Sequence, residues 1–548
     1  MPPTHDVVNT VEPLVGFDAA TPDPALAAGL AAAGTALTDE LRALAVDAGS
    51  AEWAEHARLA DRNSPILHTH DRAGHRIDEV EYHPSWHALM GRAVGAGLQA
   101  APWGPDAGTH AHLHRAAGFY LWTQTESGHL CPMSMTYAAV PALRHDRVLA
   151  GEFEPGLRSR EYDFGLRPAA GKRGLLAGMS MTEKQGGSDV RAATTRAVPA
   201  GGPDAGEYRL TGHKWFTSAP MNDLFLTLAQ APGGLTCFVV PRVLPDGSRN
   251  ALTVQRLKDK LGNRSNASSE IEYDGATGRR LGDEGRGVAT ILEMVTMTRL
   301  DCVLGSAGQI RAGLSQAAFY AAHRRAFGRP LIEHEAMAAV LADLAVESWA
   351  ATLTALRLAD LVDAQSTAAA SEAAGLLRIA LPAAKFWTCK RAVPVLAEAL
   401  ECLGGNGYVE TFPMARLLRE SPLNGIWEGS GTVTALDAIR ALHRNPECAD
   451  ALLAELAAAT GGHPAFDVGV KELAVLMREE PDPATARRLC SLAARTFAAS
   501  LLIRHAPAPV ADLYCATRLD WTGDRVFGEL PPGAVTRGIV DAVTPQPG

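Results

Sequence analysis

The sequence predicts a mostly α fold with one β segment at its centre, and three observations carry that expectation. Apolar residues recur at helical spacing from Pro24 and again from Gly287 to about His443. Between them lie short runs with β-branched or aromatic content, separated by turns such as Pro232-Gly233-Gly234 and Pro245-Asp246-Gly247. A last stretch of helical pattern fills most of the final hundred or so residues. At roughly 150 residues per domain, 548 residues suggest three or four compact units. With 47% hydrophobic and 20% charged residues, the chain buries a large core, and disorder is excluded for its bulk.

Taken in order, residues 1 to about 24 are rich in Pro and Thr and are expected to wrap a surface. From Pro24 the chain is rich in Ala and Leu, with Asp39, Glu40 and Arg42 at helical spacing, and helices are expected over Trp86–Ala100 and His112–Ala139. A polar loop is expected from Glu152 to Gly174. Glu207–Leu210, Leu224–Ala229, Thr236–Pro241, Leu252–Leu257 and Glu270–Tyr273 read as the strands of an all-β unit of about 100 residues. From Gly287 to about His443 there are few breakers except Pro330, Pro382 and the loop around Gly404–Pro413, which suggests an antiparallel bundle. The tail stays helical to about Pro531. The implied division is 1–175, 176–285, 286–445 and 446–548.

The balance of 51 Lys+Arg against 61 Asp+Glu gives −10, which argues against a whole-surface nucleic-acid binder. None of the eight cysteines forms a C-x-x-C pair, so they read as buried thiols of a reducing compartment. No secretory leader and no run of about 18 apolar residues is visible, which predicts a cytoplasmic protein with no membrane span. Only eight basic residues are Lys, and five of these (Lys172, Lys184, Lys214, Lys258, Lys260) fall within 172–260. Spared lysines mark places where a guanidinium does not fit, or cluster by chance.

Several generic motifs fail on context. Gly95-x-Gly97-x-x-Ala100 follows a helical run where a dinucleotide site needs a strand, so helix packing is expected. His110, His112 and His114 have strand-type ligand spacing in a helical setting, so no metal site is expected. His68, His70, His75, His83 and His87 read as surface or capping residues, and no G-x-S-x-G elbow occurs.

Three segments carry chemistry. Met181–Val190 (MTEKQGGSDV) offers Thr182 and Ser188 hydroxyls beside Gly186 and Gly187, where backbone approaches a ligand closely; alone it is a Gly-rich turn. Gly212–Ser218 (GHKWFTS) sets Trp215 and Phe216 beside Thr217 and Ser218, which suits a flat heterocycle with a polar rim, or an ordinary strand with a core Trp. Leu403–Tyr408 (LGGNGY) precedes Ile426–Gly431 (IWEGSG), where Glu428 stands between Trp427 and two glycines. An apolar setting lifts a carboxyl towards the range of a general base; standing alone the segment reads as a solvated loop.

These motifs, with Arg324–Gly328 (RRAFG) and Lys260–Arg264 (KLGNR), resemble the acyl-CoA dehydrogenase superfamily over about residues 30–445. HPSWH at His83, KQGGSDV, GHKWF and KDKLGNRSNAS look most like its AidB-like branch, the adaptive-response alkylation flavoproteins, which also carry a C-terminal helical extension. The resemblance implies a helical N-terminal domain, a β-barrel-like middle domain, a helical bundle and that extension. It implies FAD in a homotetramer, contacted by Met181, Thr182, Gly187, Ser188, Trp215, Phe216, Thr217 and Ser218. Arg324, Phe327, Gly404 and Gly405 would reach the cofactor of a neighbouring subunit, while Ile426, Trp427, Gly429, Ser430 and Gly431 would close over the ring.

In the family the flavin accepts a β-hydride while a carboxylate removes the α-proton of an acyl-CoA thioester, and an electron-transfer flavoprotein or another acceptor takes the electrons. That role falls on Glu428, with Arg299 at the substrate. The alternative site used by some members is Thr298 here, which cannot act as a base. Lys184 stands where Pro is usual, Trp427 where Tyr is commoner, and Glu401 where many members have Gln. The branch also implies an alternative: a flavoprotein that binds duplex DNA through its extension and protects it, with weak or no turnover. From His443 onward there are 10 basic and 13 acidic residues, a net of −3, with seven arginines (487, 488, 495, 504, 518, 525, 537) in the second half.

Overall fold

The computed structural model describes residues 4–201, 206–478, 483–520 and 536–545. They form two compact units, each discontinuous in sequence. One comprises Glu55–Gly108 and Glu126–Asp301; the other comprises Met1–Ala54, Thr109–Thr125 and Cys302–Gly548.

After most of helix Ala51–Arg62, the first unit carries an antiparallel hairpin, β1 (Ile66–His70) and β2 (Arg76–Glu81), followed by helices Pro84–Gly95, Leu130–Leu143 and Arg147–Leu157. Strands β3 (Ala177–Ser180), β4 (Arg196–Pro199), β5 (Glu207–Ser218), β6 (Leu224–Ala231), β7 (Gly234–Pro241), β8 (Leu252–Leu257) and β9 (Ser268–Leu281) come next. Neighbours run β3-β6-β4-β5-β9-β7, β8 lies on β9, and β6 pairs back onto β7. That last pairing closes the sheet into the expected barrel. Strands β6 and β7 are buried along nearly their whole length, whereas β5 alternates and turns Tyr208, Leu210, Lys214 and Thr217 inward. Tyr208, Leu210, Phe225, Phe238, Val240, Ile271 and Tyr273 fill the core.

Several details differ from expectation. The hairpin β1–β2 is not among the expected elements. Residues 152–157 are helical rather than loop: Asp146 accepts the N–H groups of Val148 and Leu149, and Leu149, Phe153 and Leu157 bury one stripe, which outweighs Pro155 and Gly156. The helix expected to reach Ala100 ends at Gly95, so Gly97 lies beyond it and the G-x-G-x-x-A string spans a helix end. His83 does cap that helix, its Nδ1 accepting the Ser85 N–H at 3.1 Å. The run expected over His112–Ala139 is two helices, Ala111–Thr123 and Leu130–Leu143.

The second unit is built on Glu335–Ala364 and Ala370–Glu401, with the later part of Gly287–His323. Pro382 does not break Ala370–Glu401; it and Pro394 lie inside that helix, where packing overrides propensity. The Asp363 carboxylate accepts the N–H groups of His112 and Leu113 at 3.1 and 2.8 Å, capping Ala111–Thr123. The His110–His114 string thus begins a helix, and no metal-type cluster occurs among the described residues. Helix Glu335–Ala364 is long and apolar enough to cross a bilayer by length and composition alone, and most of that window is buried. All eight cysteines are buried and none is in a disulfide.

The C-terminal helices, among them Ala486–His505 and Ala508–Tyr514, pack on Glu335–Ala364. A buried ionic knot ties them there. Arg518, in the π-turn Cys515–Leu519, donates to Asp343 at 2.6 Å and Glu347 at 2.7 Å, and Arg391 donates to Glu347 at 2.8 Å. Burial alone pushes the Glu347 carboxyl up, but the Arg391 and Arg518 guanidiniums outweigh it and hold the group down at about 2. The expectation of helix up to Pro531 falls on residues outside those described.

Candidate active site

In the barrel unit the MTEKQGGSDV segment leaves β3 and is stitched to β5 by the Trp215 N–H, which donates to the Thr182 carbonyl at 2.7 Å. Glu183 is its hub. Its carboxylate accepts the N–H groups of Thr194 and Thr195 (2.7 and 3.1 Å), both their hydroxyls (2.9 and 2.7 Å), and Lys214 Nζ at 2.8 Å. Burial alone would raise this carboxyl, yet Lys214 and the threonine donors hold it well below the ordinary range. Lys214, 1% exposed, also donates to the Leu228 carbonyl at 2.8 Å, so the loop rests on a fixed ammonium inside the barrel.

Around that hub Met181 and Thr182 are half-buried and Ser188 is exposed. A β-carbon on Gly187 would lie 2.5 Å from Thr182 Oγ1, so only glycine brings this backbone alongside the hydroxyl. Trp215 is half-buried, with Lys258 Nζ 3.1 Å from its ring centroid, and Phe216 is exposed. Ser218 is half-buried, while Thr217 turns inward, its Oγ1 2.5 Å from Ser180 Oγ. Lys184 has a use that proline lacks: its N–H donates to His213 Nε2 at 3.0 Å. The glycine cradle, the two hydroxyls and the aromatic pair fit a flat ring with a polar rim.

Arg299 is buried in helix Gly287–His323. The Thr298 hydroxyl is bonded to the Met294 and Val295 carbonyls, as expected of a residue with no part in proton transfer.

In the helical unit Glu428 is half-buried on the segment between the turn Leu423–Gly425 and helix Gly431–Arg444. Its φ is +57° and that of Gly429 is +106°. A β-carbon-bearing residue in this region is strained, and such strain concentrates at functional sites. Lys385, from the middle of Ala370–Glu401 and 2% exposed, donates through Nζ to the Trp427 carbonyl at 2.8 Å and the Gly429 carbonyl at 2.5 Å. The Trp427 indole donates to Asn424 Oδ1 at 3.0 Å, and Asn424 Nδ2 donates to Ser306 Oγ at 3.2 Å. Ile426 is exposed, and Ser430 takes the N-cap position before Gly431.

Elsewhere in this unit Arg324 donates to the Asn9 carbonyl. Phe327 and Gly328, both at positive φ, form the two-residue turn of hairpin β10 (Arg325–Ala326) and β11 (Arg329–Pro330), as that turn geometry requires. The turn leaves Phe327 97% exposed. Gly404 and Gly405 are exposed just beyond helix Ala370–Glu401, as is Glu401 at its end. Glu183, Lys214, Lys385 and Asn424 carry no role in the motifs read from the sequence; the clustering of lysines within 172–260 is the one signal that points to any of them, and it points to Lys214.

The tail arginines are largely engaged within the unit. Arg488 pairs with Glu472, Arg504 with Glu455, Arg537 with Asp541 and Arg518 with Asp343 and Glu347. Arg495 donates to the Arg518 carbonyl at 2.5 Å, and Arg487 lies over the Phe386 ring. Arg525 lies outside the described residues.

Comparison with known proteins agrees with this arrangement. Residues 9–164 match the family model of the adaptive response protein AidB N-terminal domain. Residues 178–276 and 285–443 match those of the acyl-CoA dehydrogenase middle and C-terminal domains. The chain is 42% identical to AidB of Escherichia coli (strain K12) over 524 residues, 95% of each chain. It is 33% identical to acyl-CoA dehydrogenase family member 11 of Caenorhabditis elegans over 405 residues, 70% of this chain and 64% of that one. The crystal structure of Caenorhabditis elegans ACDH-11 in complex with C11-CoA superposes with a TM-score of 0.83 at 28% identity, covering 94% of both. The chain therefore belongs to the acyl-CoA dehydrogenase superfamily and, within it, to the AidB-like branch.

Proposed function

We propose that the protein is an FAD-dependent oxidoreductase of the acyl-CoA dehydrogenase type, acting on the CH–CH bond beside the carbonyl of an acyl thioester. The observation that carries this reading is Glu428, a carboxylate held at positive φ between Trp427 and Gly429. The C11-CoA held by the Caenorhabditis elegans neighbour supports the thioester class.

Met181, Thr182, Gly187, Ser188, Trp215, Phe216, Thr217 and Ser218 would hold FAD, with Ile426, Trp427, Gly429, Ser430 and Gly431 closing the site. When bound, FAD supplies the acceptor for a hydride. Glu428 takes the α-proton and becomes a neutral acid, the β C–H pair leaves as hydride, and the Cα–Cβ double bond forms. The Glu428 N–H donates to the thioester carbonyl, where negative charge develops. Arg299 assists on the substrate side. An electron-transfer flavoprotein is the onward acceptor, and the exposed Phe327 with Arg324, Gly404 and Gly405 suits contact with another copy in a homotetramer.

The deciding experiment adds a panel of acyl-CoAs to anaerobic, FAD-loaded protein and follows flavin absorbance. Bleaching with at least one thioester is expected, and none with any of them sinks the reading. Because Lys214 anchors the loop bearing Thr182 and Ser188, Lys214→Met is expected to weaken FAD binding by about 10- to 100-fold, the size of one lost charge-assisted hydrogen bond. Titration of the apoprotein with FAD, read by flavin fluorescence, measures it.

A further inference from the structure

We propose that Lys385 is a positioning residue for this reaction, acting through the peptide group that joins Trp427 to Glu428. The inference deepens the dehydrogenase reading and rests on it. An ammonium is a compact, strongly hydrated charge, and burying one is costly unless its donors are satisfied. Lys385 is 2% exposed and satisfies Nζ on two carbonyls, those of Trp427 and Gly429, one on each side of Glu428. Two carbonyls from residues so close in sequence converge on one atom only if the chain between them folds back sharply. Glu428 at φ +57° and Gly429 at φ +106° supply that fold.

The consequence runs through a planar, trans peptide, in which the carbonyl and the N–H point in opposite directions. When Lys385 holds the Trp427 carbonyl, it also fixes the direction of the Glu428 N–H, away from the ammonium. Hydrogen bonds in a chain polarise one another, so a charged donor on that carbonyl makes the N–H a stronger donor in turn. Lys385 thereby tunes both groups that the reaction asks of residue 428: the N–H that meets the thioester oxygen and the carboxylate that takes the α-proton. A guanidinium, longer and with five donors in a rigid fork, does not match two converging carbonyls in a closed space, which accounts for a lysine here in a chain that otherwise favours arginine.

Lys385→Met keeps the length and apolar character of the stem and removes the ammonium. Expected results are a fall in the bleaching rate of about 100-fold, the cost of one weakened oxyanion donor, with KM unchanged within about threefold. Amides of residues 427–431 should exchange at least about tenfold faster in the apoprotein, while those of Ala486–His505 keep their protection. With a C11 acyl-CoA carrying 13C at the thioester carbonyl, the bound carbonyl stretch should move back towards its value in water. Should Lys385→Met not fold, Lys385→Gln, a neutral and shorter donor, is read by the same measurements. Unchanged loop exchange together with an unchanged rate overturns the role of Lys385, as does failure of both variants to fold, which would make the residue a pillar of the core. Wild-type protein that bleaches with no thioester overturns the dehydrogenase reading instead, and apoprotein exchange still decides whether Lys385 holds the loop.

Discussion

Glu428→Gln should leave a protein that still takes up FAD and acyl-CoA but bleaches at least about 10³-fold more slowly than wild type, within the range that loss of a general base produces. Glutamine keeps the shape of the side chain and the strained backbone beneath it while removing the proton-accepting oxygen. Stopped-flow absorbance under anaerobic conditions, with wild type alongside, measures the ratio. A variant that bleaches at the wild-type rate would move the base elsewhere, and Thr298 is no substitute because an aliphatic hydroxyl is far too weak a base to take an α-proton. Glu428→Asp, one methylene shorter, should retain an intermediate rate, because misplacing the base by about an ångström costs roughly 10²-fold.

The largest effect on stability is expected at Arg518. Replacing it by Met takes one guanidinium from two buried carboxylates, Asp343 and Glu347, the second of which keeps its bond from Arg391. Breaking a buried ion pair from one side costs about 3–5 kcal/mol, so thermal unfolding of Arg518→Met should begin many degrees below wild type. The same knot sets an acid limit. Glu347 is held at about 2, below its ordinary 4.5, so it contributes stability above the unfolded value that is lost as pH falls from about 4.5 towards 2. The slope in that window approaches about 1.4 kcal/mol per pH unit for this one group. Unfolding midpoints measured from pH 7 down to pH 3 should show the decline in wild type and a shallower one in Arg518→Met. Parallel curves would remove Glu347 from the account.

The parts of the fold legible in the sequence are those written in local pattern. The strands of the barrel stand out because Leu224–Ala231 and Gly234–Pro241 are short apolar runs fenced by turn residues. The glycines and aromatics of the FAD-type motifs are equally local. The hairpin Ile66–Glu81 escapes notice because its first strand has only Leu67 and Thr69 at the partly buried positions, while apolar Ile66 lies exposed with His68 and His70. Helix Arg147–Leu157 hides behind Pro155 and Gly156, whose propensities argue against the stripe that forms. Lys385 and Trp427 lie 42 residues apart, Lys214 and Glu183 lie 31 apart, and nothing local links such partners. Sparing use of lysine is a weak trace at best: Lys214 and Lys385 are buried, while Lys184, Lys390 and Lys471 are exposed.

Attachment of the final hundred residues by Arg518 has a practical corollary for anyone trimming the protein to a minimal catalytic core. A chain cut after Arg444 would remove Arg518 from Asp343 and Glu347 and lay bare the face of Glu335–Ala364 that Ala486–His505 covers. Any defect of such a truncate, in nucleic-acid binding or in turnover, would then report a damaged scaffold and not the loss of a separable module.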